Sequence, residues 1–188
     1  PLQEAIKVDV VVIGGGFTGV SAAYHLALGG ASVALLEARS IGFGGSGRNV
    51  GLVNAGLWTP PDQVEEKIGK DVGARLNETL DAGPAVVFDL IEKNQILCEA
   101  VREGTLHCAH SKAGLRDLEN RYALQEARGA PVKLLDARET ARRTGSTAYC
   151  GALWDARAGT IQPLAYVQGL ARAAAAQGAQ IFEDSSAV

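Results

Sequence analysis

Three glycines near the N terminus and one carboxylate have the spacing of a nucleotide-binding motif. Gly14, Gly16 and Gly19 form a Gly-x-Gly-x-x-Gly pattern directly after an apolar run, and Glu37 closes the next apolar run. Such glycines permit a tight turn, a close backbone approach to a pyrophosphate and close packing of a helix on a sheet. The N–H groups of the following helix would attract phosphate. We expect the carboxylate of Glu37 to bind the ribose hydroxyls and to repel a 2′-phosphate, which disfavours NADP.

The elements needed to position these residues can be predicted around the motif. Residues 8–13 are β-branched and apolar apart from Asp9, residues 20–28 are rich in Ala and Leu, and residues 32–36 are apolar after Ser32. A strand, a turn, a helix and a strand within about thirty residues make a βαβ unit. A nearly continuous apolar strand is typical of a parallel sheet covered on both faces. The predicted fold class is α/β, a Rossmann-like FAD/NAD(P)-binding unit with a parallel sheet.

The glycine-rich segment that follows helps to choose between the two dinucleotides. Residues 42–52 carry few bulky side chains. Such a segment can lie along an extended cofactor, with its N–H groups facing phosphate or flavin oxygens, whereas simple NAD-binding folds usually continue into another helix here. FAD is therefore favoured, and a flexible surface loop is the alternative.

The rest of the chain alternates helical and extended patterns. We predict helix over 62–97, with a kink or boundary at Gly83–Pro84, and a helix capped by Asp136. Further strands and helices are predicted at 96–101 (strand), 105–110 (strand), 112–127 (helix), 132–135 (strand), 149–154 (strand), 163–178 (helix) and 179–183 (strand).

Composition and charge restrict the class of partner and the compartment. A net charge of -3 argues against a nucleic-acid partner. The local cluster of Arg138, Arg142 and Arg143 surrounds Glu139, which indicates a solvated helix face. No apolar stretch approaches the ~20 residues of a membrane span. Three unpatterned cysteines do not make a disulfide framework, so we expect a reducing compartment and a cytoplasmic protein.

Other chemistry-bearing residues give weaker patterns. His107, Cys108 and His110 could suggest a metal, but neighbouring residues of a strand point to opposite faces, and no metal site is predicted. Trp58 and Trp154 are interpreted as core or domain-interface residues rather than as a substrate cage. No spacing in the sequence predicts a catalytic residue.

Three segments together resemble one family of flavoenzymes. Residues 11–27, VVIGGGFTGVSAAYHLA, residues 33–38, VALLEA, and residues 41–51, IGFGGSGRNVG, are similar to the FAD-dependent amine and amino-acid oxidases of the D-amino-acid oxidase superfamily. This group includes glycine and sarcosine oxidases. The third segment is most similar to the γ-glutamylputrescine oxidoreductases. Residues 159–164, GTIQPL, resemble the Gly-x-x-x-Pro-Leu before the family's return helix.

The resemblance implies a domain organisation. Residues 1–57 would form the FAD-binding βαβ unit with its glycine-rich flavin loop. Residues 58–158 would be an excursion into part of an α+β substrate domain, and residues 159–188 would return to the FAD-binding domain.

The resemblance also implies site residues for non-covalent FAD. Gly14, Gly16, Thr18 and Gly19 would surround the pyrophosphate, and Glu37 would hold the adenosine ribose. The remaining implied contacts are with the adenine (Ala38, Arg39, and the backbone of Val188), the pyrophosphate and flavin side (Ser46, Gly47, Arg48, Asn49) and the flavin ring (Gly51, Leu52).

The implied reaction is oxidation of the CH–NH bond of a small amine or amino acid to an imine, with the chemistry supplied by the flavin. Arg48 could lie near the flavin, and a phosphate contact or a structural salt bridge is an equal alternative. Gly45 and Val50 depart from the Ala and Gly that are common in the family, and Val50 would add a β-branched side chain near the flavin.

Two alternatives to a complete enzyme stay open. The chain could be a non-catalytic nucleotide-binding module, or an inactive N-terminal fragment that needs a partner chain. A homo-oligomer or a further C-terminal half could complete the site. The sequence lacks methionine and begins at Pro1, which fits removal of an initiator methionine or excision from a longer polypeptide.

Overall fold

A computed structural model of the chain describes residues 1–187 as two compact units. The first unit comprises Pro1–Gly51, Phe88–Ala100 and the segment that starts at Ile161, and the second comprises Leu52–Val87 and Val101–Thr160. Val188, a predicted adenine contact, lies outside the described residues.

The first unit is built on a three-stranded parallel sheet. Its strands are β1 (Val10–Ile13), β2 (Val33–Leu36) and β8 (Gln180–Phe182), in the order β1-β2-β8. Val10 pairs with Val33, and Ala34 pairs with Gln180. The predicted strand–helix–strand order and the parallel sheet are confirmed, although each strand is shorter than its apolar run.

Two helices cover one face of this sheet. Helix α1 (Phe17–Leu28) packs against α6 (Pro163–Ala176). Tyr24 of α1 and Leu170 of α6 are almost fully buried. Burial of a side chain of this size stabilises the fold by roughly 1.5–3 kcal/mol, so the α1–α6 contact holds the start of α1 in place. The opposite face of β1 is open, since Val11 is 55% exposed and Ile13 is 70% exposed.

The second unit contains an antiparallel sheet and a separate short strand pair. The sheet has the order β4-β6-β5, with β4 at Thr105–Ala109, β5 at Val132–Asp136 and β6 at Gly151–Asp155. Strands β3 (Leu52–Val53) and β7 (Gly159–Thr160) form the antiparallel pair. Helix α4 (Lys112–Glu126) lies on the larger sheet around Ala109, Leu118, Val132 and Leu153.

Two predicted helix starts are confirmed by their caps. The Asp136 carboxylate accepts a hydrogen bond from the Glu139 N–H and begins α5 (Ala137–Thr144). The Gln162 side chain accepts from the Ala165 N–H at the start of α6. Each cap satisfies a backbone donor that has no partner within the helix.

Of the kink or boundary predicted at Gly83–Pro84, the boundary is wrong. Helix α2 spans Pro61–Ile68, and α3 runs from Lys70 to Lys93 with Pro84 inside it. Pro84 cannot donate to the carbonyl of Leu80, four residues earlier. That carbonyl instead accepts from the Gly56 N–H at 3.3 Å, so the lost helical hydrogen bond is replaced from a neighbouring segment.

The predicted strand over residues 96–101 is also wrong. Only Val101 forms a bridge, with Thr160. Gln95 and Glu99 have positive φ angles of 50° and 51°, which L-residues seldom adopt in an extended strand. Ile96 and Cys98 are nevertheless buried, which explains why the segment has the apolar composition of a strand.

No helix within residues 1–187 is long and apolar enough to cross a bilayer.

Candidate functional site

The glycine bend at the end of β1 forms the centre of the candidate site. Gly14 has φ of +102° and donates its N–H to the carbonyl of Leu36 at 2.8 Å. A Cβ on Gly19 would lie 2.0 Å from the carbonyl oxygen of Gly14. Both positions therefore require glycine, Gly14 for its backbone conformation and Gly19 for the approach of α1 to the bend.

Space is open at the bend itself. A Cβ built on Gly14 would meet no atom within 4 Å. A Cβ on Gly16 would meet the Ser46 hydroxyl oxygen at 2.9 Å, so a side chain at residue 16 would crowd the entry to α1. At Gly14 the bend is lined by backbone and leaves space for an extended pyrophosphate, whereas the side chains of Ile41 and Glu37 pack against Gly15.

Glu37 places its carboxylate at this bend. One oxygen, Oε2, accepts from the Gly15 N–H at 2.7 Å, and the other, Oε1, accepts from the Arg39 N–H at 2.8 Å. The two bonds fix the orientation of the side chain. A carboxylate has about four acceptor sites, so lone pairs remain for ribose hydroxyls.

The N terminus of α1 is suited to an anion. Gly16 is the N-cap and gives no side-chain cap, and no acidic residue lies in the first turn. The Phe17 N–H donates to the Ser46 hydroxyl at 3.0 Å. The next backbone donors of the first turn, on Thr18 and Gly19, have no acceptor within the helix, and the helix dipole adds positive potential there.

The glycine-rich segment 41–51 has a defined conformation. The Asn49 amide donates to the carbonyls of Gly45 and Ser46, and its oxygen accepts from the Gly51 N–H at 2.8 Å. A Cβ on Gly47 would lie 2.2 Å from the carbonyl oxygen of Gly42. These bonds and close approaches disfavour the alternative of an unstructured surface loop.

Phe43 is a site residue that the sequence interpretation missed. The guanidinium carbons of Arg39 and Arg48 lie 4.6 Å and 5.0 Å from the centre of its ring. Two cations on one aromatic ring concentrate positive charge beside the glycine bend. An aromatic residue inside a glycine-rich run, with an arginine four or five positions away on each side, was the available signal.

Arg48 itself is exposed, and its Nε donates to the carbonyl of Gly44 at 3.3 Å. Within residues 1–187 no carboxylate forms a salt bridge with it, so the structural salt-bridge alternative receives no support.

The residues predicted to contact the adenine and the flavin ring lie in different parts of the structure. Ala38 and Arg39 are exposed just after β2, and the carbonyl of Arg39 accepts from Asp184. Val50 is 82% exposed. Leu52 begins β3 in the second unit and is 52% exposed.

Trp58 is not a core residue, contrary to the core interpretation, since it is 62% exposed. Trp154 is half-buried and donates its ring N–H to the carbonyl of Glu103 at 3.0 Å. Within the described part of the chain, no group of three or more His, Cys, Asp or Glu side chains is placed to hold a metal.

Comparison with known proteins decides the family. The family model described as DAO, FAD dependent oxidoreductase, matches residues 9–188. The chain belongs to the DAO family of FAD-dependent oxidoreductases. FAD is thus the cofactor of the family, and the space beside Gly14, the N–H groups of Thr18 and Gly19 in the first turn of α1 and the orientation of Glu37 fit it.

Two relatives of this DAO-family chain are more than twice as long as the chain itself. It is 38% identical over 98% of its length to γ-glutamylputrescine oxidoreductase of Escherichia coli (strain K12), and the match covers 43% of that protein. Glycine oxidase of Geobacillus kaustophilus is 27% identical, with 94% of this chain and 46% of the relative covered. The DAO-family chain thus spans less than half the length of these relatives.

Solved structures agree on the fold of the DAO-family chain. The crystal structure of the Geobacillus kaustophilus glycine oxidase superposes with a TM-score of 0.75 at 26% identity, covering 94% of this chain and 46% of that one. L-α-glycerophosphate oxidase from Mycoplasma pneumoniae, solved with FAD bound, gives a TM-score of 0.74 at 20% identity, with coverage of 96% and 45%. The second likeness is one of fold alone.

Proposed function

We propose that this chain is the FAD-binding part of an oxidoreductase that oxidises the CH–NH bond of a small amine or amino acid to an imine. The observation that carries the proposal is the Glu37 carboxylate, which sits at the glycine bend beside the open N terminus of α1. The γ-glutamylputrescine and glycine oxidising relatives favour a substrate with an amine next to the reacting carbon.

The chain's own residues would bind and orient the cofactor without a covalent bond. The N–H groups of Thr18 and Gly19 would hold the pyrophosphate, with the backbone of Gly14 and Gly16 close beside it. Glu37 would accept from the ribose hydroxyls, and Ala38 and Arg39 would flank the adenine. Segment 46–49, with Gly51 and Leu52, would follow the flavin side. When bound, FAD would accept a hydride, with its two electrons, from the substrate carbon, and the amine N–H proton would be released to give the imine.

Positive charge is the chain's further contribution to this chemistry. Arg39 and Arg48 lie over the Phe43 ring, which restrains both guanidiniums close to the glycine-rich segment. We propose that Arg48 stabilises negative charge that develops on the cofactor. Arg48→Ala should then slow anaerobic flavin reduction, and an unchanged rate would remove Arg48 from this role.

The test of the proposed function is spectroscopic. The purified chain, or the longer protein that contains it, should be yellow, and its flavin absorption should bleach anaerobically with an amine such as γ-glutamylputrescine, glycine or sarcosine. Flavin absorption that no amine bleaches would contradict the proposed oxidation of an amine, but it would not contradict the proposed FAD site. If the protein does not retain FAD, both the proposed oxidation and the proposed FAD site are contradicted.

A non-catalytic nucleotide-binding module that needs a partner chain is a second candidate. It is favoured by the exposed apolar face of β1, where Val11 and Ile13 lie open. An apolar strand face of this kind is usually covered in α/β folds. In that case the 188-residue chain should bind FAD, and amine-dependent bleaching should appear only after the partner polypeptide is added.

A further inference from the structure

A cavity of about 240 Å³ lies wholly within the second unit. It is bounded by the sheet residues Thr105, His107, Leu153 and Asp155, by α4 and by the segment 54–58. Thr105 pairs with Asp155, and His107 pairs with Leu153, across β4 and β6. Cross-strand partners share one face of a sheet, so these four side chains form one wall.

Arg121 of α4 places a restrained cation at this cavity. Its side chain is only 16% exposed, its Nε donates to Asp117 Oδ2 at 2.8 Å, and its Nη1 donates to the carbonyl of Trp58 at 2.8 Å. The guanidinium carbon lies 4.0 Å from the centre of the Trp58 ring. The hydrogen bonds within the described chain use two of the five N–H groups of the guanidinium, which leaves donors for an anion.

Gln125 adds an acceptor without a partner. Its side-chain oxygen is buried and accepts no hydrogen bond from any described residue, and the residue lines the cavity. Buried polar atoms without partners are uncommon because they lose their hydration. Gln125 follows Arg121 by four residues on α4, so the two side chains project from the same helix face.

We propose that this cavity binds the carboxylate and ammonium groups of an α-amino acid, with Arg121 pairing with the carboxylate and the Gln125 side-chain oxygen accepting from the ammonium group. The two groups of such a ligand are attached to one carbon, and the two protein groups lie one helical turn apart. A planar guanidinium is well matched to a carboxylate. That this amino acid is the non-reacting end of the amine substrate rests on the proposed function, whereas the binding does not.

The experiment is a calorimetric titration of L-glutamine into the purified protein in its flavin-containing form. L-Glutamine carries the proposed head group and an uncharged side chain. Glutaramate, which keeps the carboxylate and the side-chain amide but lacks the ammonium group, is the matched ligand. We expect saturable binding of L-glutamine and weaker binding of glutaramate.

Three variants assign the contacts. Arg121→Gln should weaken the binding of L-glutamine about tenfold or more, because a charge-assisted hydrogen bond is lost. Gln125→Leu should weaken the binding of L-glutamine and leave the binding of glutaramate nearly unchanged. The difference in affinity between the two ligands should therefore disappear. Arg138→Gln, at an exposed position of α5, is the control and should bind both ligands as the parent protein does.

Circular dichroism would check that each variant folds, and Arg121→Lys, which keeps the charge, serves if Arg121→Gln does not fold. The inference is overturned if L-glutamine does not bind, if Arg121→Gln binds it equally well, or if glutaramate binds as tightly as L-glutamine. Flavin absorption reports the cofactor site separately. A yellow protein that does not bind L-glutamine contradicts only this inference, and a yellow protein that binds L-glutamine but is bleached by no amine contradicts only the proposed function.

Discussion

The carboxylate of Glu37 accepts a hydrogen bond from the backbone N–H of Gly15 at 2.7 Å. These residues lie 22 positions apart in the sequence, and the bond ties the end of β2 to the bend that follows β1. The bond holds the bend and fixes the carboxylate that we propose accepts from the ribose hydroxyls. The proposed FAD contact and the stability of the bend therefore both involve Glu37, and substitutions should separate them.

Glu37→Gln should weaken FAD binding while the protein keeps its fold. The amide oxygen of glutamine can still accept from Gly15, but the charged acceptor for the ribose is lost, which typically costs roughly 1–2 kcal/mol or about tenfold in affinity. Titration with FAD, followed by quenching of flavin fluorescence, measures the loss. Glu119→Gln, at an exposed position of α4, is the control. Equal FAD affinity in Glu37→Gln would count against a ribose contact.

Gly19→Ala should destabilise the first unit severely. Its Cβ would lie 2.0 Å from the Gly14 carbonyl oxygen, so α1 and the bend would have to separate, and a cost of about 2 kcal/mol or more is expected from overpacking of this kind. Thermal unfolding by circular dichroism checks this.

Gly45→Ala is the matched substitution for Gly19→Ala. A Cβ there would meet nothing within 4 Å, and an Ala restricts the unfolded chain more than a Gly does. We expect Gly45→Ala to leave stability unchanged or to raise it by up to about 1 kcal/mol. A loss like that of Gly19→Ala would show that the local backbone, and not the close approach, sets the requirement for glycine.

Tyr166 should make stability depend on pH in the alkaline range. Burial, with a smaller contribution from nearby Cys98, raises the pKa of Tyr166 to about 12. A raised pKa in the folded state means that the stabilisation is complete below the ordinary value near 10 and is lost as pH rises toward about 12. Denaturant unfolding between pH 9 and 12 should show a shallower decline for Tyr166→Phe. An equal decline of the unfolding free energy in the parent protein and in Tyr166→Phe would place Tyr166 in a more hydrated environment.

Arg121 should hold the pKa of His107 below its ordinary value. Partial burial of the imidazole is the larger cause of the lowered pKa, the positive charge of Arg121 is the next, and Asp117 acts in the opposite direction. Arg121→Gln should therefore raise the pKa of His107 toward that of an exposed histidine. NMR titration of the His107 ring protons measures this pKa. An unchanged pKa of His107 in Arg121→Gln would mean that the Arg121 guanidinium does not face the imidazole ring.

The local pattern was informative wherever one segment determines its own conformation. The βαβ order, the requirement for glycine at residues 14 and 19 and the Asp136 cap follow from backbone geometry and neighbouring residues, and each was predictable. Pro84 was not, because its effect on α3 depends on the Gly56 N–H reaching the carbonyl of Leu80.

What the sequence by itself determined is the class of binding chemistry, since a glycine bend followed by a helix and a carboxylate has few other physical uses. Tertiary structure alone decided which side chains meet. It brought the Ser46 hydroxyl to the Phe17 N–H and Arg121 of α4 to the Trp58 ring. The physical reason is that such contacts depend on the packing of distant segments, which spacing along the chain does not encode.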